Sequence, residues 1–124
     1  MTNTNRKIVL GISGGIAAYK TAELVRLFKK AGDDVQVALT EDASRFVTPL
    51  TLGTLSERPV LTTIFPEQVA GSWTRHVELG LWADIVIVAP ATANTIAKLA
   101  GGQCDSMLLA IALSARCPVL VCPA

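Results

Sequence analysis

KIVLGI, at positions 7–12, is a strand-like run with no polar side chain after its lysine. A strand with one wet face alternates apolar and polar residues, whereas a strand inside a parallel sheet is apolar throughout because both of its faces are covered. IVIVA, at positions 85–89, has the same pattern. The two runs therefore predict buried strands of a parallel sheet.

Helical periodicity follows the first run, because the apolar residues of segment 17–31 lie mostly on one helix face and Gly32 can end the helix. Thr48 can cap a further helix whose first position is Pro49, and Asp105 can cap another. The remaining predicted elements are strands at 35–40, 59–64 and 118–122, helices at 49–56, 92–100 and 105–115, a helical turn at 44–47, an amphipathic segment at 76–83 and a mobile loop at 65–75.

Strands and helices alternate along the whole chain, and this order predicts a single α/β domain. We expect a doubly wound, mainly parallel three-layer sheet, Rossmann-like or flavodoxin-like, with right-handed crossovers.

Composition excludes several classes of protein. With 51% hydrophobic and 17% charged residues the chain is too apolar to be disordered, and a net charge of +1 gives no polybasic surface for nucleic acid. No apolar run approaches the roughly 20 residues of a membrane span, and the polar N-terminus does not resemble a signal peptide. We therefore expect a cytoplasmic protein that binds neither nucleic acid nor membrane.

Two further expectations concern the cysteines and the surface. Cys104, Cys117 and Cys122 form no CxxC pair and have a single histidine to accompany them, so we expect buried, reduced thiols and no metal site. The low share of charged residues also predicts self-association, because a small domain with few charges often covers part of its surface with copies of itself.

Candidate binding residues follow the strands, because ligands of parallel sheets lie beyond the carboxyl ends of the strands. After the first strand come Ser13, Gly14, Gly15 and Ile16, where glycines permit close approach and a hydroxyl and free amides can face a phosphate. The pattern is neither GxGxxG nor a P-loop. Tight packing between strand and helix is the alternative explanation of the glycines.

The next two turns narrow the ligand class. A dinucleotide site has an acidic residue for the ribose hydroxyls at the end of the second strand, but this strand ends at Thr40 and Glu41 comes only after it. This favours a mononucleotide or flavin phosphate over NAD. Thr92, Ala93, Asn94 and Thr95 open a helix after the 85–89 strand and can line a flat ring or bind phosphate. Thr92 could instead be a helix cap alone.

His76 is the one histidine, at the end of the predicted loop. An imidazole near neutral pH can take or give a proton, so His76 is a candidate general base. A purely structural role is the alternative.

Several segments in order resemble the flavin-containing cysteine decarboxylases, a family that includes the phosphopantothenoylcysteine decarboxylases of coenzyme A biosynthesis. These segments are SGGIAAYK at 13–20, TE at 40–41, FVTPL at 46–50, HVEL at 76–79 with WAD at 82–84, and APATANT at 89–95. Together they cover nearly the whole chain. The related flavin prenyltransferases also have a Gly-rich first turn, but the intact histidine segment argues against them.

The resemblance implies FMN as cofactor, with its phosphate near Ser13–Ile16 and the 92–95 turn. Thr40 and Ala124 would also lie close to the flavin. His76 would be catalytic, acting on a flavin bound by a neighbour in a homotrimer or an assembly of trimers. The implied substrate is 4′-phosphopantothenoylcysteine, whose thiol is oxidised to a thioaldehyde. Loss of CO2 and re-reduction of the enethiolate then give 4′-phosphopantetheine.

Some family features are not found in this sequence. In the family, Pro-Ala at the end of the last strand is followed by Met-Asn and later by a substrate flap with a proton-donating cysteine, whereas this sequence ends at Pro123-Ala124. We expect residues 1–124 to be an FMN-binding decarboxylase core without the C-terminal flap or a synthetase domain. A non-catalytic FMN-binding or regulatory subunit is the second hypothesis.

Overall fold

A four-stranded, fully parallel sheet forms the centre of the molecule in the computed structural model, which describes residues 5–62 and 75–124. The strand order is β2-β1-β3-β4, with Ile8 of β1 opposite Val35 of β2 on one side and Ile85 of β3 on the other. The two apolar runs are thus adjacent central strands. The predicted doubly wound parallel fold is confirmed.

Within the described residues, five α-helices and two short 3₁₀ helices connect the strands. The strands are β1 (Lys7–Ile12), β2 (Asp34–Leu39), β3 (Ile85–Ala91) and β4 (Val119–Pro123). The α-helices are α1 (Thr21–Lys30), α2 (Pro49–Ser56), α3 (Arg75–Trp82), α4 (Ala93–Gly101) and α5 (Met107–Ser114). The 3₁₀ helices span Ile16–Lys20 and Asp42–Arg45.

Alternate residues of β1 point to opposite faces of the sheet and enter two separate cores. Leu10 packs on the side of α1 and α2, with Val25 and Leu52 fully buried there. Val9 packs on the side of α3 and α5, in a cluster that includes Leu108. Each fully buried aliphatic side chain stabilises the fold by about 1.5–3 kcal/mol. Covering both faces is what the apolar strands require.

An ion pair joins the starts of β1 and β2. The buried Asp33 carboxylate accepts hydrogen bonds from the backbone N–H of Arg6 at 2.9 Å and from its guanidinium at 2.9 and 3.3 Å. The hydrogen bond to Asp33, and then the attraction between the charges, raises the pKa of Arg6 above its ordinary value. These contacts fix the end of the sheet opposite the strand tips, which are the carboxyl ends of the strands.

Helix ends follow the predicted residues at Thr48 and Gly32 but not at Asp105. The Thr48 hydroxyl accepts from the N–H of Thr51 at 3.1 Å, and α4 closes at Gly102 in a left-handed conformation with φ 72°. The helix predicted from residue 17 begins as the Ile16–Lys20 3₁₀ turn and ends before Gly32 as expected. The prediction for Asp105 is wrong, because Ser106 caps α5 and the Asp105 carboxylate pairs with a lysine instead.

Other predictions need correction. Of the strand predicted at 59–64, residues 63–64 lie outside the described residues, and Leu61 makes a single parallel bridge to Ala38. The loop predicted at 65–75 lies outside them except for Arg75, which begins α3. The helical turn predicted at 44–47 lies at Asp42–Arg45. The prediction of buried cysteines is wrong: Cys104 is exposed, because it lies in the turn after α4, outside both cores, and Cys117 and Cys122 are only half-buried.

Across 5–62 and 75–124, every helix is too short or too polar to span a membrane.

Candidate functional site

A cavity of about 360 Å³ lies where the strand tips meet the starts of two helices. Its walls come from the turns after β1 and β2, from α4, and from the start of α5. Five predicted binding residues line it, namely Gly14, Thr40, Thr92, Asn94 and Thr95. The volume falls in the usual range for small-molecule sites, about 300–1,000 Å³.

Ser13 joins the turns after β1 and β3. Its hydroxyl donates to the carbonyl of Pro90 and accepts from the N–H of Thr92 at 3.0 Å, and its own N–H donates to the same carbonyl at 3.2 Å. The residue is only 1% exposed. The hydroxyl is therefore committed to the protein, and it holds the two turns side by side at the cavity edge.

The glycines after Ser13 permit close packing of this turn. A Cβ at Gly14 would lie 2.5 Å from the Cβ of Asp42, which leaves no room for a side chain. At Gly15 the nearest atom would be the Thr92 methyl carbon at 3.6 Å, so this position has space. The side chain of Ile16 points outward and is 76% exposed.

Thr92 caps α4 and shapes the cavity wall. Its hydroxyl accepts from the N–H of Thr95 at 3.3 Å and lies 3.2 Å from the Thr95 hydroxyl. The first amides of an α-helix have no partner within the helix. Those of Ala93 and Asn94, at the positive end of α4, are thus available to an anion. Thr92 is a cap and a lining residue at once.

Thr40 and Ala124 follow β2 and β4, the two edge strands of the sheet. The Thr40 hydroxyl accepts from the N–H of Ala43 at 3.2 Å, which orders the turn after β2. The N–H of Ala124 donates to the carbonyl of Ala91 at 3.0 Å and places this residue beside the start of α4.

Several charged residues of the cavity wall were not among the predicted binding residues. Lys98 lines the cavity together with Glu41, Asp42 and Asp105, and its ammonium lies 2.8 Å from the Asp105 carboxylate. Helical spacing could have revealed the lysine, because it lies four residues after Asn94 and so on the same helix face.

His76 is not among the described residues that line this cavity. It is the second residue of α3 and is half-buried. No atom of the described chain forms a hydrogen bond with its buried Nδ1 atom. Within one chain, the structure does not bring His76 to the other predicted site residues.

The parallel sheet and the cavity at its strand tips define a doubly wound α/β ligand-binding domain. The family model described as Flavoprotein matches residues 1–124. The chain therefore belongs to the Flavoprotein family, and the resemblance found in the sequence is confirmed.

Curated relatives match over nearly the whole of this chain. It is 49% identical over 124 residues to the coenzyme A biosynthesis bifunctional protein CoaBC of Escherichia coli K12 and 48% identical over 120 residues to that of Bacillus subtilis. These matches cover 100% and 97% of this chain. The chain spans only 30% and 29% of the length of the two relatives.

Solved structures share the fold. The FMN-dependent cysteine decarboxylase TvaF from thioviridamide biosynthesis superposes with a TM-score of 0.88 at 33% identity, over 96% of this chain and 73% of that one. A PPC decarboxylase C175S mutant complexed with pantothenoylaminoethenethiol gives 0.80 at 30% identity, over 97% and 67%.

Proposed function

We propose that this chain binds FMN in the cavity at its strand tips. The carrying observation is the Ser13 hydroxyl, which holds the turns after β1 and β3 together beside the free amides of α4. Hydroxyls and a side-chain amide on the cavity wall suit a ribityl chain, and the amides and Lys98 suit a phosphate. The residues present therefore fit FMN, and FMN-dependent relatives with the same fold support the assignment.

The reaction that we propose is the decarboxylation of 4′-phosphopantothenoylcysteine to 4′-phosphopantetheine in coenzyme A biosynthesis. Its support is the identity of 49% to a coenzyme A biosynthesis protein over all 124 residues. FMN would supply the oxidation of the cysteine thiol and the later return of the electrons. The protein would hold the phosphate of FMN at the start of α4 and exclude water from the cavity at the strand tips.

His76 would act as the general base or acid of the reaction, taking a proton from the substrate or giving one to it. A half-buried imidazole whose Nδ1 has no partner in the described chain is free to bond to a substrate or a neighbouring molecule. Because His76 does not line the cavity of its own chain, we propose that it acts on the flavin of an adjacent subunit.

A homotrimer, or an assembly of trimers, is the arrangement that we propose. Large apolar side chains are exposed beside the strand-tip turns, including Ile16 at 76%, Tyr19 at 59% and Leu50 at 79%. Contact with another copy would cover them. The cytoplasmic location stays a prediction.

Substrate turnover tests the function directly. Purified protein is saturated with FMN and mixed anaerobically with 4′-phosphopantothenoylcysteine, and flavin bleaching and CO2 release are followed. We expect both, with bleaching first. Bleaching without CO2 would contradict full decarboxylation and favour a half-active core, and no response would favour a flavin-binding subunit. A prenyl transfer to the flavin would favour the prenyltransferase alternative.

Substitution of His76 tests its assigned role. His76→Ala and His76→Gln should each keep FMN bound and lower CO2 release by about 100- to 10,000-fold, because neither side chain can transfer the proton. Flavin content, measured by absorbance after release, serves as the control in each case. Wild-type rates in either variant would remove His76 from the mechanism.

A further inference from the structure

Lys98 is the one basic side chain among the described residues that line the cavity. The other charged groups on that wall are the carboxylates of Glu41, Asp42 and Asp105. A phosphate dianion placed here would meet more negative than positive charge. Its binding would therefore depend strongly on the availability of this single ammonium group.

The ammonium of Lys98 is already engaged. Its nitrogen lies 2.8 Å from Oδ2 of Asp105, in a pair that joins α4 to the residue before the α5 cap. The lysine side chain is 29% exposed and the aspartate side chain 58% exposed. A pair that is this accessible is weak, because water screens its charges, and a competing anion can replace the carboxylate.

Helical geometry directs Lys98 toward the same space as the proposed phosphate site. Lys98 lies three residues after Thr95 and four after Asn94, so all three share one face of α4 and line the same cavity. Asn94, in the first turn of α4, lines this cavity too, and the first amides of a helix have no partner within the helix. The flexible lysine stem allows the charge to turn from Asp105 toward a ligand.

We propose that Lys98 is the residue that selects a phosphorylated flavin over an unphosphorylated one, and that Asp105 competes with the phosphate for it. In the free protein the ammonium pairs with Asp105, and in the complex it pairs with the phosphate monoester. The inference rests on the proposed FMN site and adds the basis of its selectivity. It predicts opposite effects for the two members of one ion pair.

The experiment measures the Kd of FMN and of riboflavin, which lacks the phosphate, by quenching of flavin fluorescence. Lys98→Gln should weaken FMN binding about tenfold or more, the value of one charge-assisted hydrogen bond, and change riboflavin binding less than twofold. Lys98→Arg should retain most of the FMN affinity because the charge remains. Asp105→Asn should tighten FMN binding about two- to fivefold by removing the competitor.

The double variant separates competition from simple repulsion. If Asp105 acts by occupying Lys98, its substitution should give no gain in the Lys98→Gln background. A gain of the same size in both backgrounds would overturn the competition. Two matched controls concern residues that do not line the cavity: Lys30→Gln removes an exposed charge, and Glu23→Gln breaks the exposed pair with Arg26. Both should bind FMN as the wild type does.

The outcomes distinguish this inference from the proposed function. Wild-type protein that binds neither FMN nor riboflavin would contradict the FMN site itself. Wild-type protein that binds FMN, with Lys98→Gln unchanged or with both flavins weakened equally, would overturn the selectivity role alone. Weaker FMN binding in Asp105→Asn would assign the ion pair a structural role and would also overturn the inference.

Discussion

Two glycines inside helices should respond in opposite directions to replacement by alanine. A Cβ at Gly80 of α3 would lie 2.7 Å from the carbonyl oxygen of Ser114 and 2.8 Å from its carbonyl carbon, at the end of α5. A Cβ at Gly53 of α2 would lie 3.4 Å from the carbonyl oxygen of Arg58 and 3.7 Å from a methyl carbon of Val60. The first position clashes with backbone, and the second allows ordinary contact.

The expected free energies follow from two opposing terms. Alanine in a helix interior is favoured over glycine by about 1 kcal/mol, so Gly53→Ala should stabilise the protein by about 0.5–1 kcal/mol. At Gly80 the same gain is opposed by an overpacking cost of about 1–3 kcal/mol, at the upper end because backbone atoms must move. We expect Gly80→Ala to destabilise the protein by about 1–2 kcal/mol.

Urea unfolding followed by circular dichroism measures both changes. Because a domain of this size shifts its Tm by about 4 °C per kcal/mol, the two variants should differ by roughly 8 °C in a thermal scan. The slope of the urea transition should stay constant if only the folded state changes. A Gly80→Ala protein as stable as the Gly53→Ala protein would refute the close approach of α3 to α5. Such a result would also remove support for the placement of His76, which lies one helical turn before Gly80.

Two further substitutions probe the turn after β1. Ser13→Ala should lower the free energy of unfolding by about 2 kcal/mol, because the N–H of Thr92 loses its acceptor in a buried setting. Ser44→Ala is the matched control, because Ser44 is half-buried and its side chain has no hydrogen bond in the described chain. If both variants lose the same free energy of unfolding in urea, the Ser13 hydroxyl does not join the two turns. Gly15→Asp should fold, because a side chain fits there, but should bind FMN much more weakly than Gly15→Asn, since a carboxylate would face the phosphate. Equal Kd values for the two Gly15 variants would contradict a phosphate position beside this turn.

Much of the fold could be predicted from local patterns because those patterns report burial on both sides of a strand. The apolar runs marked β1 and β3 closely, and Thr48-Pro49 marked the start of α2. The cap of α5 could not be decided locally, since Asp105 and Ser106 are both good N-cap residues. A lysine of the preceding helix engages the aspartate, and serine then fills the cap.

The site was less accessible to prediction because its key contacts are distant in sequence. The Ser13 hydroxyl was expected to face an anion, yet its partners lie 77 and 79 residues further along the chain. Local sequence indicates a turn at each place and contains no signal that the two turns share one hydroxyl group. Assignment of His76 likewise depends on a partner outside its own chain's cavity and stays a prediction.

The hydroxyl shared by two turns has a consequence for protein engineering. Because Ser13 bonds to both Pro90 and Thr92, the two loops form one structural unit despite their separation in sequence. A single loop transplanted into another parallel sheet would lose the hydrogen bonds that Ser13 forms with Pro90 and Thr92. A designer who wishes to move this cradle should therefore graft the serine turn and the proline turn together, on adjacent strands.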